Sequence, residues 1–71
     1  MKDFFVHQNL DKEVLIGGVT SLMDFNVDKI VVRVKGGLIE VNGKNLIINR
    51  FDENEITVIG KINGVLTNVS R

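Results

Sequence analysis

The sequence predicts an all-β fold: a small antiparallel β-meander folded into a sandwich or a partly open barrel. Three observations carry that expectation. Val and Ile dominate the apolar residues, and β-branched side chains suit a pleated, half-buried surface. No Pro interrupts any apolar run. Glycine-containing turn signals separate short stretches in which apolar and polar residues alternate.

The N-terminal segment, residues 1–12, reads either as a flexible arm or as a short strand through Phe4 and Val6. Residues 13–71 read as one all-β domain, since 71 residues allow one domain at most. A helix over 9–15 is short and marginal. Val14–Ile16 and Val19–Phe25 read as strands, with the length of the following loop, Asn26-Val27-Asp28, left open.

In "KIVVRVK" (29–35), Ile30, Val32 and Val34 share one face by period-two alternation. A two-residue turn at Gly36-Gly37 then sets Val34 opposite Ile39 and Val32 opposite Val41. Asn42-Gly43 is the strongest short-range hairpin signal and would pair Ile39 with Leu46. A loop at Asp52-Glu53-Asn54 pairs Phe51 with Glu55 and brings Ile48 opposite Val58. These turns predict a four-stranded meander over residues 29–60. Its inner face is Ile30, Val32, Val34, Ile39, Val41, Leu46, Ile48, Ile56 and Val58. A one-residue slip would reverse every side chain.

The outer face carries Arg33, Glu40, Asn45, Asn49, Glu55 and Thr57, together with four apolar residues: Val31, Leu38, Ile47 and Ile59. Those four form the candidate interface, covered either by a second sheet drawn from 13–25 and 61–69 or by a partner. The covering sheet is favoured over a dimer face made of them, with edge-strand dimerisation also open. Lys61–Val69 reads as a strand in which Asn63-Gly64 is a further hairpin turn or a bulge. "IEVNGK" (39–44) is echoed by "ITVIGK" (56–61) seventeen residues on. Two strands that each end at Gly would account for the echo.

Composition narrows function. Nine basic residues balance nine acidic ones, so no block of charge invites nucleic acid. The four Phe are not interleaved with a basic patch, as single-strand binders require. There is no Cys, hence neither a disulfide nor a thiolate metal site. No apolar run is long enough for a membrane-spanning helix, and "MKDFFVHQNL" is not a signal peptide, which points to the cytoplasm.

Chemical motifs are weak. Asp24, Asn26 and Asp28 alternate as at the start of a calcium loop, but Lys29 and Lys35 stand where that loop needs Gly and a bidentate carboxylate. The pattern fits an Asx-rich turn better. Gly37 with Gly43-Lys44 departs from a phosphate loop in spacing and in Asn45. His7 is the sole histidine and has no flanking nucleophile signature. Asp52, Glu53 and Glu55 share one loop and read as solvated. Asn68-Val69-Ser70 matches a glycosylation acceptor without any sign of secretion. No catalytic residue, cofactor or metal ligand is expected.

Four pieces in order resemble the YabP/YqfC family of sporulation proteins: "EVLIGGV" (13–19), Asp24-Phe25, "GGLIEVNGKNLII" (36–48) and "EITVIGKI" (55–62). The resemblance implies a small all-β protein of endospore-forming bacteria, linked to spore envelope assembly, with no catalytic residues to carry over. The expected function is therefore a non-enzymatic interaction or structural module acting on other proteins of the coat or cortex. The alternative is a small cytoplasmic ligand-binding or regulatory domain.

Overall fold

The computed structural model describes residues 4–69. Residues 1–3 of the N-terminal segment and Ser70 of the acceptor pattern lie outside them. Six strands run in order: β1 (Phe5–Asn9), β2 (Glu13–Gly17), β3 (Val19–Phe25), β4 (Lys29–Val34), β5 (Gly37–Asp52) and β6 (Glu55–Val69). The described residues contain no helix, so the 9–15 alternative is a turn followed by β2. The strands form one sheet in the order β1-β2-β6-β5-β4-β3, every neighbour antiparallel, and the sheet does not close into a barrel.

The long β5–β6 hairpin is the axis of the molecule. The first half of β5 pairs with β4 and with the second half of β6. The second half of β5 pairs with the first half of β6, which in turn pairs with β2. Both strands bend where the halves meet. The pairing advances from Lys44↔Lys61 to Ile47↔Ile59, so Asn45 and Leu46 face Gly60 alone. Two further bulges leave Asn63 extra on β6 and Asn49 extra on β5. Bulges bend a strand and increase its twist, and the extra residues here include three asparagines. Asn45 sits at φ 54, a left-handed conformation that Asn tolerates better than most residues.

The bend folds the sheet around one core. Val14 and Ile16 of β2, Val19 of β3, Ile30, Val32 and Val34 of β4, Ile39, Val41 and Leu46 of β5, and Ile56, Val58 and Ile62 of β6 form a single buried cluster. Complete burial of such a side chain stabilises by roughly 1.5–3 kcal/mol. No polar side chain is buried among the described residues.

Several pairings differ from expectation. The first hairpin turns at Lys35-Gly36, with positive φ at Gly36 (88°), and Gly37 begins β5 opposite Val34. Val32 therefore faces Ile39, not Val41. Shifting a turn by one residue shifts each partner by two, so the faces survive. Asn42-Gly43 is not a turn at all: β5 runs straight through it, with Asn42 opposite Gly64 and Gly43 opposite Ile62. A continuous β5 pairs with β6 along nearly its whole length, which a local turn would forfeit. The third loop is the two-residue Glu53-Asn54, with Asp52 opposite Glu55 and Phe51 opposite Ile56. The Asn49 bulge absorbs that offset, and Ile48 meets Val58 as expected. Residues 29–60 thus supply two whole strands and part of a third instead of a four-stranded meander. Of the expected inner face, all but Ile48 are fully buried, and Ile48 packs against the core partly exposed. Asn63-Gly64 takes the bulge alternative.

The sequence echo has a structural meaning. Ile39 and Ile56 are both buried, as are Val41 and Val58, and Gly43-Lys44 and Gly60-Lys61 meet across the bend. Neither strand ends at its glycine. The flanking hairpins repeat the relation. Gly43 and Leu46 donate to the Asp28 and Val27 carbonyls of the β3–β4 loop (3.0 and 2.9 Å). Gly60 and Ile62 donate to the Lys12 and Asp11 carbonyls of the β1–β2 loop (3.1 and 2.7 Å). The half β3-β4-β5 therefore corresponds to the half β1-β2-β6, and each half contributes one inner face to the shared core.

Candidate interaction surface

The two inner faces share one core, so the outer faces of the two halves lie on different sides of it. This separates the four candidate interface residues. Val31 and Leu38 lie on the outer face of the β3-β4-β5 half, on neighbouring strands with Val31 opposite Glu40 and Arg33 opposite Leu38. Ile47 and Ile59 face each other on the outer side of the other half. The structure brings the residues of each pair together and keeps the pairs apart. No second sheet covers either face: residues 13–25 and 61–69 extend the same sheet and contribute to its inner side. Leu38 and Ile47 are exposed, and Val31 and Ile59 are half-buried.

Other apolar side chains are exposed that the sequence did not single out. Leu66 is 59% exposed on the outer face, in one row with Val31 and Glu40. Met23 and Phe25 of the β3 edge, Val27 of the loop that follows it and Phe51 of the β5 edge are exposed. These two edges are tied at their ends. Val19 N–H donates to the Asn54 carbonyl at 2.9 Å, Asn54 Nδ2 returns a bond to the Val19 carbonyl at 3.0 Å, and Leu46 N–H reaches Val27. No periodicity signals such exposure, because which strand becomes an edge is a property of topology.

The polar candidates settle into structural roles. Asn26 Oδ1 accepts from the amides of Asp28 and Lys29, both at 2.9 Å, and Asp24 Oδ1 accepts from Phe25 at 2.9 Å. The Asn26 bonds have the geometry of an Asx turn and engage the oxygen a cation would need from Asn26. Asp52, Glu53, Asn54 and Glu55 line a shallow, open cleft at the β5–β6 turn, with Asp52 also bridged to Arg50 Nε at 3.1 Å. His7 is exposed on β1 opposite Leu15. Among the described residues, no three His, Cys, Asp or Glu side chains gather where a metal could sit. The described residues contain no helix long and apolar enough to cross a membrane.

The family model described as the YabP family matches residues 7–68, nearly the whole chain. The chain belongs to the YabP family. No curated protein and no solved structure matches it. The matched span begins within β1 and ends within β6, so the YabP family pattern covers both bends, both flanking loops and every core residue described above.

Proposed function

We propose that this YabP family protein is a non-enzymatic interaction module that assists spore envelope assembly, acting in the cytoplasm of the sporulating cell or at the surface of the developing spore. The observation that carries this reading is the family match over residues 7–68. The surface supports it: apolar side chains such as Leu38, Ile47 and Leu66 stand on two outward faces, an arrangement suited to contacting other proteins. Two faces on different sides of the core suit a bridging role between partners better than a single concave site does.

The test is cellular. Deletion of the gene should leave vegetative growth unchanged and yield spores with defective coat or cortex. Capture of tagged protein from sporulating cells should enrich envelope proteins, and Leu38→Asp or Ile47→Asp should weaken that capture without unfolding the domain. Equal abundance in growing and sporulating cells, together with normal spores after deletion, would refute the reading.

A further inference from the structure

The sheet has several free edges among the described residues, and they are not equivalent. The β3 edge is bulged at Thr20 and at Met23 and tied to the β5–β6 turn through Val19 and Asn54. The second half of β5 is bonded at its start, Leu46 N–H to the Val27 carbonyl, and carries the Asn49 bulge. The free edge of β6 beyond Gly60 carries the Asn63 bulge and resumes regular register with β5 only over residues 64–69. Bulges and ties of this kind block strand addition. By contrast, β1 pairs with β2 in unbroken register, has no bulge, and carries no charged side chain: its sequence is Phe-Val-His-Gln-Asn. All five residues are exposed.

Hydrogen-bond alternation shows which β1 groups are unused. Gly60 N–H donates to Lys12, so the main-chain groups of Gly60 point to the β2 side. In the regular β2–β6 register, Val14 and Ile16 then bond to β6, and Glu13, Leu15 and Gly17 bond to β1. Their partners Asn9, His7 and Phe5 thus face β2, consistent with Asn9 accepting from Lys12 at 3.3 Å. The N–H and C=O groups of Val6 and Gln8 point outward.

We propose that a second copy of this chain adds to the sheet at β1, antiparallel and about a two-fold axis through His7. In that register Val6 lies opposite Gln8 of the partner subunit and Gln8 opposite the partner's Val6. These are the residues with outward groups, so each pair exchanges both N–H···O=C bonds. The edge is self-complementary, as a two-fold interface requires. The net formal charge is zero, so two copies approach without mutual repulsion. A chain this short, without disulfides, gains from added burial. The inference stands independently of the proposed role in spore assembly.

The test is sedimentation and amide exchange on the full chain between about 10 and about 500 µM. The expected result is a species of twice the 7.9 kDa chain mass at high concentration. Exchange at Val6 and Gln8 should slow at least about tenfold as the dimer forms, while Phe5, His7 and Asn9 stay protected throughout. Gln8→Pro removes an outward N–H together with the Gln8 Nε2 bond to the Leu10 carbonyl (2.7 Å), and should give a folded monomer. A monomer across the whole range overturns the proposal. So does a dimer in which exchange at Val6 and Gln8 is independent of concentration, and so does a Gln8→Pro protein that remains dimeric. The exchange readout needs no variant, so it decides the matter even if Gln8→Pro does not fold.

Discussion

Replacing Gly43 by Ala isolates the physical reason for a glycine at the bend. Gly43 lies inside β5, and its φ is not positive. A β-carbon there would collide with the Lys61 carbonyl oxygen on β6 and come within 2.9 Å of Leu46 Cδ2. The leucine end can rotate away, but the carbonyl is main chain, and moving it separates β5 from β6 where both strands bend. Overpacking of this kind costs about 1–3 kcal/mol, and an unyielding backbone contact puts Gly43→Ala near the upper end. For a domain of this size about 3 kcal/mol lowers the melting temperature by roughly 12–24 °C. Gly64 is the internal control. It stands opposite Asn42 in the same hairpin, and a β-carbon added there would meet nothing within 4 Å. Gly64→Ala should be neutral or stabilise by up to about 1 kcal/mol through the unfolded chain. Urea and thermal unfolding of the two variants, followed by circular dichroism at one protein concentration, make the comparison. Equal stabilities for Gly43→Ala and Gly64→Ala would refute the close-approach argument.

Further expectations concern other parts of the fold. Ile56→Ala, at a fully buried position, should cost about 2–5 kcal/mol in chemical denaturation. Asn45→Val should destabilise because a β-branched residue is strongly disfavoured at φ 54, whereas Asn45→Gly should melt close to or above the parent. Asn54→Ala removes the bond to the Val19 carbonyl and should cost about 0.5–1.5 kcal/mol, with faster amide exchange at the start of β3. Ile47→Lys, on an exposed outer position, should change stability by less than about 0.5 kcal/mol; a large loss in a monomeric sample would show that this face is covered.

Within residues 29–60 the sequence pattern determined which side chains enter the core, whereas Val14, Ile16, Val19 and Ile62 join it only in the folded structure. Ile30, Val32, Val34, Ile39, Val41, Leu46, Ile56 and Val58 are buried although several of the pairings inferred for them differ from the observed ones. In the first hairpin the reason is parity, since a turn displaced by one residue moves partners by two and a pleated strand repeats every two residues; farther along, the bulges at Asn45 and Asn49 invert the alternation as the expected turns would have done. The antiparallel, all-β class was legible for the same reason. The family was legible in the order of its four pieces. Strand connectivity was not. Asn42-Gly43 carries a strong local hairpin signal, but its glycine is there to let Lys61 approach, and only the three-dimensional crossing of β5 and β6 reveals that use. The separation of Val31 and Leu38 from Ile47 and Ile59 is likewise a consequence of the bend. Local sequence specifies which face of a strand is apolar. Where that face points is decided by bulges and by the main-chain bonds of distant loops, so the positions of the surfaces this protein offers to partners emerge only with the tertiary structure.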